Sequence, residues 1–170
     1  MSIADTKLYW LDGPWHGRLA LAARPRGGDW LHDEMAAWNQ SGVNTVVSLL
    51  EPAEERSLEL DKESLEARKL GMSFISFPIP DREVPKSEAS LTKLIDVLSV
   101  ELTKGKNAVI HCRQGVGRSG LVAACLLISK GRSSGAALTE LSHARGVPIP
   151  ETREQREWIE RFAAALAHTK

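Results

Sequence analysis

Only two of the 170 residues are cysteine and only one is tyrosine. Cys112 and Cys125 stand thirteen apart, a spacing of neither a disulfide framework nor a zinc site, and the five histidines are scattered, so no metal or other cofactor is expected. Net charge is missing too, since 22 Lys and Arg balance 22 Asp and Glu. A chain without a basic field is not built for a nucleic-acid partner. Long apolar runs are absent: Leu121 to Ile128, the longest, is far too short to span a bilayer, and Met1 to Leu8 lack the apolar stretch of a secretory signal. A cytoplasmic protein without membrane contact is the expectation. No repeat, linker or low-complexity tract divides the chain, and 42% hydrophobic content supports one domain over 1–170, expected to act as a monomer.

What is present alternates between two periods. Tyr9 to Trp15 and Arg18 to Ala23 alternate loosely around Gly13, Pro14 and Gly17, which predicts a hairpin or a pair of edge strands. Asp29 is placed to cap a helix carrying Leu31, Met35 and Trp38 on one face, ended by Gly42. Val43 to Leu50 has the Val and Leu content of a buried strand, Pro52 to Leu70 reads as one or two charged surface helices, and Met72 to Phe77 is the next strand. A loop fenced by Pro78, Pro80 and Pro85 follows. Leu91, Leu94, Ile95, Leu98 and Leu102 recur at helical spacing, Lys106 to His111 is a strand, and Ser133 and Thr152 open two last helices. Strands alternating with helices imply an α/β fold, a central mostly parallel sheet of four to five strands flanked by helices, with ligands bound at the carboxyl ends of the strands.

The segment from His111 to Gly120, His-Cys-Arg-Gln-Gly-Val-Gly-Arg-Ser-Gly, lies between the Lys106–His111 strand and an apolar helix. Gly115 and Gly117 let the backbone curl with its N–H groups inward, and a helix starting near Arg118 adds its positive end, which makes an anion cradle of residues Arg113, Gln114, Gly115, Val116, Gly117 and Arg118. Arg118 offers a planar fork that matches two oxygens of one phosphate. Cys112 at the mouth, among such donors, should hold its sulfur as a thiolate. A phosphate held against a thiolate points to nucleophilic phosphoryl transfer. A phosphate-binding turn with an inert cysteine is the plain alternative, since free Cys is usually a small buried hydrophobe.

Cys112-x5-Arg118-Ser119 preceded by His111 resembles the signature of the cysteine-dependent protein tyrosine phosphatase superfamily, and Gly-Val-Gly-Arg-Ser is most similar to its dual-specificity branch, near kinase-associated phosphatases and small bacterial relatives. The resemblance implies a phosphatase-like fold with the active loop between the central strand and a buried helix. It also implies a phosphorylated protein as substrate. Asp81, 31 residues before Cys112 in the proline-fenced loop, matches the family's general acid, although Pro80-Asp81 also suits a plain turn, and Glu83 is a reserve acid. Ser119 matches the hydroxyl that bonds the sulfur, and it also suits a helix N-cap. His111 matches the histidine that orders the loop by bonding backbone. Gln155 matches the glutamine that holds the hydrolytic water, while Thr152-x-x-Gln155 is equally a capping box. Arg82 and Arg113 flank the loop, as substrate contacts or as solvated surface, and Arg145 is a helix C-terminal cation with reach to the cradle's outer wall.

Dephosphorylation of phosphotyrosine and of phosphoserine or phosphothreonine is therefore expected. The lone Tyr9 stands in no context that would build a deep tyrosine-only cleft. Rival substrates for the same chemistry are an inositol lipid, an RNA 5′-triphosphate or arsenate. The family's lipid enzymes carry lysines in the loop where this chain has Arg113 and Val116, which disfavours lipid. A binding module without turnover is the rival from another class.

Overall fold

The structure is a computed structural model that describes residues 6–169, so the Met1–Asp5 part of the leader reading lies outside it. Its sheet has the order β1-β2-β5-β3-β4, built from β1 (Tyr9–Leu11), β2 (Leu19–Ala22), β3 (Thr45–Ser48), β4 (Ser73–Ser76) and β5 (Ala108–His111). The expected hairpin is the antiparallel β1–β2 pair, and every other pairing is parallel. The strand predicted to end at His111 is therefore central in fact, flanked by β2 and β3.

Both faces of β5 are buried, as a parallel strand requires. Ala108 and Ile110 pack into one core with Leu19 and Leu21, while Val109 faces the other with Ala20, Ala22, Met35 and Trp38. The first core is covered by four helices, α4 (Glu88–Thr103), α5 (Arg118–Ser129), α6 (Ser134–Arg145) and α7 (Arg153–His168), and the second by α1 (Leu31–Gln40) and α3 (Glu63–Lys69), with short α2 (Pro52–Ser57) between β3 and α3. The helix signals from sequence largely hold. Ser87, Ser133 and Thr152 each cap a helix by accepting from a backbone N–H three residues on, at 3.1 Å. Asp29 does not. It sits in a 3-10 turn, Gly28–Trp30, and α1 starts at Leu31 with no side-chain cap.

α5 is buried from Arg118 through Ile128, wrapped by α4, α6 and α7 against the sheet. Its mean hydropathy is high because every face meets protein. No helix among the described residues is long and apolar enough to cross a membrane.

Candidate active site

The loop from Cys112 to Gly117 connects β5 to α5 at the carboxyl end of the central strand. Cys112 is 3% exposed, and its Sγ accepts from the Gly115 N–H at 3.3 Å and lies 3.3 Å from Ser119 Oγ. Ser119 is the second residue of α5, not its cap; Gly117 takes the cap position, and the serine hydroxyl is free to serve the sulfur. The two glycines have different reasons. Gly115 has φ 75, the left-handed region, and a Cβ there would stand 2.5 Å from the Ala22 carbonyl oxygen. Gly117 has an ordinary φ of −80, and is glycine for room: a Cβ would come 3.0 Å from Gln155 Oε1 and 3.1 Å from Glu151 Cβ.

Arg118 is 2% exposed and anchored by Glu54, Asp81 and the Ile79 carbonyl. Nη1 donates to Glu54 Oε1 at 2.7 Å and to the Ile79 carbonyl at 2.8 Å, and Nη2 donates to Glu54 Oε2 at 3.0 Å and to Asp81 Oδ1 at 3.0 Å. Burial works against its charge, but Glu54, the Cys112 sulfur and Asp81 outweigh that, so its pKa is raised. Glu54 answers in kind. Burial pushes its carboxyl up, the hydrogen bonds from Arg118, the Glu51 N–H and Arg113 pull it down, and the balance leaves it below the usual carboxylate range. Glu54 was not foreseen from sequence. It sits in a stretch that reads as charged surface, and only the turn after β3, which carries α2 back over the loop, brings it to the arginine.

Asp81 lies on the rim of the cradle, its Oδ1 3.0 Å from Arg118 Nη2. The turn alternative is also real: the Glu83 N–H closes on the Pro80 carbonyl at 3.0 Å, with Arg82 at φ 66, a conformation usually left to glycine. The Asp81 side chain is 48% exposed and reaches Arg118 rather than its own backbone. Arg82 forms an ion pair with Glu151, and the Glu83 carbonyl accepts from Gln155 Nε2 at 3.1 Å, so two contacts tie this loop to the start of α7. Glu83 presents its backbone here; its carboxylate has no hydrogen bond to Arg118.

Gln155 is fully buried, and its Oε1 accepts from the N–H groups of Glu151 and Thr152 at 3.2 and 3.1 Å. The capping box is thus formed, and the same amide touches the acid loop. Arg113 is 42% exposed and weakly paired with Glu54 at 3.4 Å. Gln114 and Gly115 turn their carbonyls outward to Arg145, at 3.0 and 3.2 Å, whose guanidinium also lies 4.1 Å over the Tyr9 ring. Arg145 therefore braces the cradle's outer wall instead of serving its own helix end. Val116 packs at the edge of the core. His111 does bond backbone, its Nδ1 standing 3.4 Å from the Cys112 carbonyl, but its Nε2 makes the shorter contact, 2.6 Å to Glu63 Oε2 on α3. Cys125 is fully buried in α5, and burial pushes its thiol well above the ordinary range.

The chain is similar to known proteins in both sequence and fold. The family model described as Tc-R-P, polymorphic toxin system, DSP-PTPase phosphatase, matches residues 20–132. Cyclin-dependent kinase inhibitor 3 of Sus scrofa is 37% identical over 92 residues, covering 53% of this chain and 43% of that protein. The chain thus spans less than half the length of the first curated relatives it matches. A crystal structure of kinase-associated phosphatase, its catalytic-site cysteine replaced by serine, superposes with a TM-score of 0.89 over 98% of both chains at 23% identity, which speaks to fold. The crystal structure of Tk-PTP in its active form gives 0.75 over 96% of this chain and 99% of that one, at 28% identity.

Proposed function

We propose, from the premise that the chain belongs to the DSP-PTPase phosphatase family, that it hydrolyses phosphate monoesters on proteins through a cysteinyl-phosphate intermediate. The observation that carries the reading is the position of the Cys112 sulfur, below the Gly115 N–H and beside Ser119 in the loop that Arg118 closes. In the first step Sγ attacks phosphorus in line, the S–P bond forms as the P–O bond to the alcohol or phenol breaks, and Asp81 gives its proton to the departing oxygen. The loop N–H groups from Arg113 to Arg118 and the Arg118 fork hold the three equatorial oxygens.

The second step runs in reverse. Asp81, now ionised, takes a proton from water as the water oxygen bonds to phosphorus and the P–S bond breaks, and the Ser119 hydroxyl donates to the sulfur as it regains its charge. Gln155, whose Nε2 reaches the Asp81 loop at the Glu83 carbonyl, is the residue assigned to hold that water. Phosphotyrosine, phosphoserine and phosphothreonine are all admitted on this reading. One sheet with a core on each face supports treating the residues as a single domain.

Release of phosphate from p-nitrophenyl phosphate, compared with the Cys112→Ser variant, tests the mechanism. Turnover should vanish in the variant while tungstate still binds, because the cradle's donors are backbone and Arg118. Retained turnover in Cys112→Ser would remove the covalent route. A panel of phosphopeptides then tests substrate breadth, and turnover confined to phosphotyrosine would overturn the dual specificity.

A further inference from the structure

Among the buried ionisable groups, Glu63 takes no part in the mechanism above. It opens α3, is 1% exposed, places Oε2 2.6 Å from His111 Nε2, and leaves Oε1 buried without a hydrogen-bond partner. A carboxyl group with an orphaned oxygen in an apolar core is costly to keep. His111 is also fully buried, its ring tilted against Trp38 of α1 with centroids 5.8 Å apart. On the far side of that ring is the Cys112 carbonyl.

The partners determine where the protons sit. A carbonyl only accepts, so the contact of Nδ1 with the Cys112 oxygen requires a proton on Nδ1. Glu55 of α2 also feels the Glu63–His111 pair: its carboxyl is pushed up by burial and then by Glu63. Because the Nδ1 contact is long at 3.4 Å and the Nε2 contact short, the ring's orientation is set from the Glu63 side.

We propose that Glu63 is a positioning residue for the phosphate loop: it holds the His111 ring so that Nδ1–H faces the Cys112 carbonyl, and thereby fixes the backbone from which the sulfur projects. The inference rests on the phosphatase reading only for its consequence in turnover. Two near-isosteric variants separate reach from charge. Glu63→Gln keeps the length and can donate an amide N–H to Nε2, whereas Glu63→Asp keeps the charge and falls one methylene short.

The experiment measures, for both variants and the parent protein, the melting temperature, kcat/KM on p-nitrophenyl phosphate, and the rate of Cys112 alkylation by iodoacetate, which needs no turnover. Glu63→Gln should stay within about 3-fold of the parent in both rates, and Glu63→Asp should lose roughly 10- to 100-fold, the scale of a catalytic group misplaced by a fraction of an ångström to an ångström. Rates in Glu63→Asp equal to or above those in Glu63→Gln would overturn the proposal in favour of a charge effect or a purely structural one. Should the parent alkylate at Cys112 yet release no phosphate, the phosphatase reading falls while the alkylation rates still decide the role of Glu63. If either variant fails to melt cooperatively, His111→Asn decides instead: it removes the ring that Glu63 is said to act through, and an alkylation rate equal to the parent's would overturn the proposal.

Discussion

The two loops that meet over the phosphate site are held by different kinds of force. The loop from Cys112 to Gly117 is enclosed around its sulfur, with Arg113 and Gln114 at the surface: the sulfur is bonded from within, the Gln114 and Gly115 carbonyls are braced by Arg145, and the Arg24 N–H donates to the Arg113 carbonyl at 3.2 Å from beyond the end of β2. The loop from Pro78 to Pro85 is rooted in the core at Ile79, whose N–H donates to the Leu49 carbonyl at 3.0 Å, but its tip, 81–83, is open to water and is held mainly by side chains: Asp81 to Arg118, Arg82 to Glu151, and the Gln155 amide on the Glu83 carbonyl. Burial and backbone geometry preset the nucleophile. Ion pairs on the rim position Asp81, the proposed acid, and those respond to salt and pH far more than buried contacts do. The difference suits the division of labour, since the cradle must be rigid before phosphate arrives while the acid must exchange partners. All four Nη protons of Arg118 are engaged, so on the proposed mechanism phosphate that takes Nη2 displaces Asp81, whose carboxyl group then picks up the proton that it delivers to the leaving oxygen.

The comparison is broken most severely at Arg118. Arg118→Lys deletes the fork from the enclosed loop, and two oxyanion donors lost at roughly 10² each give a fall of about 10⁴-fold in kcat/KM. Steady-state kinetics showing a parental rate would mean that the buried loop works without its arginine. Asp81→Asn breaks the open loop and should cost less, roughly 10²-fold, because a half-exposed acid can be replaced in part by water. That loss should grow with the pKa of the leaving alcohol and shrink for p-nitrophenol; a defect indifferent to the leaving group would place the acid elsewhere, with Glu83 next to be replaced.

Glu54 sharpens the contrast because it belongs to the buried side and is still ionic. Its carboxyl lies below the usual range in the folded chain, so the group contributes stability above the unfolded carboxylate pKa and loses it as pH falls through the lower folded value. Glu54→Gln should therefore cost about 1–3 kcal/mol at neutral pH and flatten the acid limb of the melting curve, which thermal unfolding between pH 3 and 7 would check. Parallel acid limbs in the two proteins would show that Arg118 is not what lowers Glu54. The smallest effect is expected at the rim. Glu151→Gln releases Arg82 and should change kcat by only a few-fold at low ionic strength, with the difference closing in high salt.

How much of this was legible in sequence follows from the range of the interactions. The cradle was readable because its requirements are local: a nucleophile, a left-handed glycine and a helix N-terminus inside ten residues. Asp81 came through resemblance, at a distance along the chain that the strand order preserves. Glu54 and Glu63 were not readable, since each lies in a charged stretch whose pattern is that of surface helices, and only parallel pairing of β3 with β5 turns those helices onto the site. Nothing periodic marks a glutamate whose partner is 64 or 48 residues away. Arg145 was foreseen in both of its roles, and long-range geometry chose the brace. Asp29 failed for the opposite reason, a local cap signal overridden by a 3-10 turn.

The brace at Arg145 has a consequence for a chain still being made. Synthesis proceeds from the amino end, and domains fold as their parts emerge. When translation has reached Lys130, the nucleophile, both glycines and Arg118 already exist, but the outer carbonyls of Gln114 and Gly115 have no guanidinium to face, and Gln155 is not there to touch the acid loop. Helices α6 and α7 complete the surroundings of a cysteine that was made before them. A nascent chain thus lacks the brace until α6 has been made, and a product cut off after α5 would carry the whole signature motif with its outer wall unsupported.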